Sequence, residues 1–128
     1  MDIHAEGDLA VKTFADYLKI VAASSENFET KIKIISETLV KAMEPWNLKG
    51  DDRVLSMMNG SAGECAEKLA HMEMTRITGN KKVKAAGRIA ALDALDKSVS
   101  SIQWLAKGFK SSIKCDIAFA KSDVRALG

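Results

Sequence analysis

The 128-residue sequence predicts an all-α fold, a compact bundle of four or five helices with a long C-terminal helix or bent helix pair. Three observations carry this. An apolar stripe runs Ala85, Ile89, Leu92, Leu95, Val99, Ile102, Ala106, Phe109, Ile113, Ile117, Ala120 and Val124. Every step is three or four residues, the spacing that lines one face of an α-helix. The single proline, Pro45, lies outside that stripe. Aromatic residues make up only 5% of the chain, while Ala, Leu, Lys and Glu are abundant, which favours helix over strand.

A first helix is predicted from Asp8 to Ala23, with Asp8 as its N-cap. Val11, Phe14, Leu18 and Val21 form its apolar face, and Ser24-Ser25 end it and can cap the next helix. A second helix is predicted from Glu26 to Glu44, on the stripe Phe28, Ile32, Ile35, Leu39, Ala42 and Met43. Glu26 and Glu29 suit the positive end of its dipole. Pro45 is expected to end it, because the residue before proline is pushed out of helical geometry. The segment Pro45-Trp46-Asn47-Leu48-Lys49-Gly50 then reads as an interhelix loop.

Asp51 or Asp52 can cap a third helix reaching about Thr78, with the stripe Leu55, Met58, Ala62, Cys65, Leu69 and Met72. The stretch Asn59-Gly60-Ser61-Ala62-Gly63 is poor for a helix, since each internal glycine costs about 1 kcal/mol relative to alanine. A continuous helix is still the preferred reading. Gly79 suits a C′ position at positive φ, and Asn80 can cap a fourth helix starting near Lys81. Ser98, Ser100, Ser101 and Gly108 are soft points where that last region can bend or divide.

The length suits one domain, here residues 1–128, able to bury a core without disulfides or metal. No apolar run approaches a membrane span, so no membrane partner is expected. The start Met1-Asp2-Ile3-His4-Ala5-Glu6 is acidic and lacks the basic and apolar regions of a secretory signal, so the chain reads as cytoplasmic. Cys65 and Cys115 are isolated and read as reduced thiols. Charge is uneven. Residues 1–80 hold nine Lys or Arg and thirteen Asp or Glu, a net −4. Residues 81–128 hold ten and four, a net +6.

No catalytic or cofactor motif is present, so neither an enzyme nor a cofactor is expected. There is no phosphate-binding Gly-x-x-x-x-Gly-Lys, no Gly-x-Gly-x-x-Gly and no His-Glu-x-x-His. His71 follows Glu67 by one helical turn, and a solvated helix pair accounts for that spacing better than a metal site. The Glu-x-x-His of di-iron bundles is absent, so no metal is expected. Met72-Glu73-Met74-Thr75 replaces the Leu-Lys-Gly that follows the histidine of phosphotransfer domains, which excludes that family.

The candidate contact residues are therefore those of a binding protein. Met58 and Met72 fall on the third-helix stripe and read as core, whereas Met57 and Met74 flank it and read as interface. Trp46, in the loop after Pro45, and Trp104, beside the fourth-helix stripe, are large apolar anchors. Lys81, Lys82, Lys84 and Arg88 form the sharpest charge cluster, placed at a helix start where the dipole disfavours cations. The expected function is non-catalytic protein binding by an inhibitor, immunity-type, adaptor or assembly subunit, a second copy of the chain being one candidate partner. The alternative is nucleic-acid association through Lys81, Lys82, Lys84, Arg88, Lys107, Lys110 and Lys114.

Overall fold

The computed structural model describes residues 4–127. It is all-α, as the sequence predicts, with helices α1 (Ala5–Ala23), α2 (Phe28–Lys49), α3 (Asp52–Gly79), α4 (Ala85–Ser100) and α5 (Lys107–Leu127). No strand occurs among the described residues. No helix there is long and apolar enough to cross a membrane. The chain gathers into two compact units, one ending at Ala66 and one beginning at Glu67. The division falls inside α3, so residues 52–66 belong to the first and 67–79 to the second. The acidic start at Met1, Asp2 and Ile3 lies outside the described residues.

In the first unit α1 packs on α2. The expected α1 face is buried at Phe14, Leu18 and Val21, with Val11 only half-buried. The helix opens at Ala5, so Asp8 is inside the first turn and does not cap it. Its carboxylate instead accepts a hydrogen bond from Arg53 Nη1 of α3 at 2.8 Å. Ser24 ends α1, both its N–H and its Oγ donating to the Val21 carbonyl. Asn27, rather than either serine, caps α2: its Oδ1 accepts from the Thr30 N–H at 2.8 Å.

Pro45 does not end α2. The helix continues through it to Lys49 and ends at Gly50, in the left-handed conformation at φ 67°. The Gly50 N–H donates to Asn47 O at 3.1 Å and the Asp51 N–H to Trp46 O at 3.0 Å, the paired bonds of a Schellman closure. Proline removes one helical hydrogen bond and crowds the preceding turn. The extra turn offsets that loss by burying Trp46, and the closure satisfies its last carbonyls. Asp51 then serves both helices, since its Oδ1 accepts from the Val54 N–H and caps α3.

α3 is continuous through Asn59-Gly60-Ser61-Ala62-Gly63. Its buried row is Val54, Met58, Ala62, Ala66, Ala70 and Met74, with Leu69 and Ile77 beside it. Steps of four turn a row by about 40° each around the helix. The mixed three-and-four stripe ending at Met72 therefore leaves the buried side. Met74 is only 6% exposed and Met72 48% exposed, which reverses the expected placement of the two. Leu55 and Cys65 are half-buried.

In the second unit α4 packs on α5. The long stripe is thus two helices, joined by residues 101–106. Leu92, Leu95 and Val99 of α4 are buried, as are Ile102 and Leu105 in the turn and Ile113, Ile117 and Val124 of α5. Full burial of one such side chain contributes about 1.5–3 kcal/mol. Lys121 Nζ to Asp93 Oδ1 at 2.7 Å and Lys114 Nζ to Asp96 Oδ1 at 3.5 Å join the two helices along one edge. Gly79 ends α3 without adopting positive φ, and α4 begins four residues later than Lys81. Trp104 accordingly lies half-buried in the α4–α5 connection, outside any helix.

Two glycines give opposite expectations. A Cβ at Gly7 would stand 2.6 Å from Val54 Cγ2, so Gly7→Ala should destabilise the fold by about 1–3 kcal/mol. A Cβ at Gly60 would meet nothing within 4 Å, so Gly60→Ala should stabilise α3 by about 1 kcal/mol. Urea unfolding monitored by circular dichroism checks both signs.

Candidate functional site

The corner between α3 and α4 carries the basic cluster of the second unit on an ordered turn. It begins where α3 ends at Gly79. The Asn80 N–H donates to Ile77 O, the Lys81 N–H to Gly79 O and the Val83 N–H to Asn80 O, at 3.0–3.3 Å. These bonds order a short turn over residues 80–83. Val83 lies against the first turn of α4: a Cβ on Gly87 would be 2.7 Å from Val83 Cγ1. Glycine at 87 is what lets the turn fold back onto the helix.

Arg88 holds the inner side of this corner. It is 6% exposed, and its Nη1 donates to the Thr78 carbonyl at 3.2 Å. Thr78 lies in the last turn of α3, whose free carbonyls carry partial negative charge. No acidic residue occurs from Met74 to Leu92. The guanidinium is therefore stabilised by a carbonyl and a helix end rather than by a carboxylate. Its Nε has no hydrogen-bond partner among the described residues, which adds a desolvation cost. Arg88 is thus built into the fold.

Lys81, Lys82 and Lys84 point away from this framework. All three are exposed, and none makes a side-chain hydrogen bond or ion pair among the described residues. They lie in the connection and not in the helix start where the sequence places them, with Lys84 at the N-cap position making no side-chain cap. Several other cations of this unit are engaged. Arg76 pairs with Glu73, Lys114 with Asp96 and Lys121 with Asp93. Lys110 Nζ donates to the Ser100 carbonyl at 3.3 Å and Lys114 Nζ to Ser100 Oγ at 2.6 Å.

The remaining candidates do not join that corner. Trp46 and Met57 belong to the first unit. Trp46 is buried, with the Lys49 ammonium over its ring, 4.3 Å from the centroid, a cation–π contact. Met57 is exposed beside Arg53, with its Sδ 3.4 Å from Nη1. Met74 is in the second unit but buried, and Trp104 is half-buried. His71 meets Asp116 of α5, Nε2 to Oδ2 at 2.6 Å, rather than Glu67 of its own helix. No group of three or more His, Cys, Asp or Glu among the described residues could hold a metal ion. Cys65 and Cys115 form no disulfide, Cys115 being exposed.

Three participants were not singled out by the sequence. Val83 and Gly87 shape the corner, and Lys31 performs in the first unit what Arg88 performs in the second. Lys31 is 7% exposed, and its Nζ donates to Ala22 O at the end of α1 at 2.7 Å. A positional signal does exist for the cations, since each is the fourth residue of its helix after a short connection. No protein-family model, curated protein or solved structure matches this chain.

Arg88→Met keeps the buried stem but leaves the Thr78 carbonyl without its donor, so it should cost about 1–3 kcal/mol in thermal or urea unfolding. Acid should weaken the second unit in a defined way. The hydrogen bond from Lys121, followed by the charges of Lys121, Arg125 and Lys97, holds Asp93 below its ordinary value of 3.8. A carboxylate lowered on folding stabilises the folded state above its unfolded value, and that contribution disappears as pH falls through the folded value. Asp93→Asn should therefore lose less stability than the parent between neutral pH and about pH 3, read as urea midpoints across a pH series.

Proposed function

We propose that this chain is a small non-catalytic protein-binding domain of the inhibitor, immunity, adaptor or assembly-subunit type. One observation carries the reading: an ordered turn, held by backbone bonds and closed by a buried arginine, presents three unengaged lysines around the half-exposed Val83. A rigid display of charged and apolar side chains suits recognition, because little side-chain or loop order has to be lost on binding. It offers no paired acid and base, and no nucleophile beside a base, so the support is for contact and not for turnover.

A second reading, phosphate contact with nucleic acid, draws support from the acid-free stretch Met74–Leu92 with its five Lys or Arg. It is the weaker of the two. Of the seven cations it would use, Arg88 and Lys110 donate to the chain's own Thr78 and Ser100 carbonyls, and Lys114 to Ser100 Oγ. Exposed aromatic side chains for stacking on bases are also missing from the corner.

Recovery of the native complex with the tagged full chain, with and without nuclease, tests the proposal. The expected result is a stoichiometric protein companion that survives nuclease treatment. Recovery of nucleic acid alone, with binding that falls steeply in salt, would replace it with the second reading.

A further inference from the structure

We infer that the α3–α4 corner is the contact surface, and that its partner is an acidic protein segment with an apolar side chain among its carboxylates. The inference rests on the protein-binding reading and adds the location and the chemistry of the partner.

Three ammonium groups within four residues repel one another, and none of them forms an ion pair among the described residues. The nearest acidic residues in sequence are Glu73 and Asp93, and both are engaged, with Arg76 and Lys121. The same fold places a buried arginine and a glycine behind the turn, so the lysines cannot relax by unwinding the corner without breaking the Arg88–Thr78 bond and the Val83–Gly87 contact. A complementary surface therefore carries about three negative charges at close spacing.

Two features favour protein over nucleic acid. Arg88, Lys110 and Lys114, three of the four further cations that a phosphate track would use, are bonded within the chain. Val83 stands 39% exposed between Lys82 and Lys84, an apolar point with no use against a phosphate backbone. Carboxylates flanking an aliphatic side chain satisfy both features at once. Such a contact is steered by charge and seated by one apolar residue.

Fluorescence anisotropy with the full chain tests this, using a labelled oligoglutamate peptide with a central leucine and, separately, a labelled DNA duplex. Saturable binding of the peptide is expected, weakening between about 50 and 200 mM salt. The charge-reversed Lys81→Glu, Lys82→Glu, Lys84→Glu variant should bind about tenfold or more weakly. Lys107→Glu, which reverses an exposed cation at the start of α5, should leave the affinity within about twofold. Val83→Ser should weaken the leucine-containing peptide more than pure oligoglutamate. The neutral variant Lys81→Gln, Lys82→Gln, Lys84→Gln, checked by circular dichroism, guards against a folding defect in the reversal.

Absence of peptide binding at low salt would overturn the inference, as would equal losses from the Lys107 control. Tighter binding of the duplex through the same lysines would assign the corner to nucleic acid. A native protein companion that the lysine variants still retain would leave the binding-domain reading standing and remove only this corner from it.

Discussion

The last turn of an α-helix has carbonyls with no partner in the helix, and a short connection gives them little access to solvent or to other donors. This constraint recurs at every joint of the chain, and three joints answer it in the same way. Lys31 of α2 donates to Ala22 O at the end of α1. Arg88 of α4 donates to Thr78 O at the end of α3, and Lys110 of α5 to Ser100 O at the end of α4. In each case the donor is the fourth residue of the following helix. The cation sits against its own helix dipole and in favour of its neighbour's, and the carbonyl bond settles the balance. The α2–α3 joint uses the other available solution, a left-handed glycine and an aspartate that serves both ends.

That arrangement explains how a chain with so few aromatic residues can hold short corners. Two of the three cations are almost wholly buried, which is unfavourable for a charge unless it is hydrogen-bonded. Their aliphatic stems pack with the core while their heads reach a helix end. The joints are thereby ordered by the side chain that follows them, not only by turn residues. At the α3–α4 corner the consequence is functional. The cation that stabilises the corner faces inward, and the three that do not stabilise it are left facing out.

The helices themselves were legible in sequence because the interactions that make them are local. Periodicity located α1, α2, α3 and the helical region after residue 80, which the sequence left as one bent helix or two, and the glycine-containing middle of α3 stayed helical as expected. The errors cluster where a distant residue decided the outcome. Asp8 looks like a cap, yet Arg53, far along the chain, takes its carboxylate. Pro45 looks like a terminator, yet burial of the next residue, Trp46, carries the helix on. Met72 and Met74 both fit an amphipathic pattern, and only the drift of a four-residue row shows which of them is buried.

The sequence by itself determined an all-α chain, the approximate places of the first three helices and of a helical last third, the continuity of α3 and the concentration of positive charge after residue 80. These follow from spacing and composition, which need no knowledge of what packs where. Only the tertiary structure decided which cations are available. Formal charge alone does not separate Arg88, Lys110 and Lys114 from Lys81, Lys82 and Lys84. They differ in whether a helix end or a carboxylate from another helix lies within hydrogen-bond reach, and that is a property of distance in space.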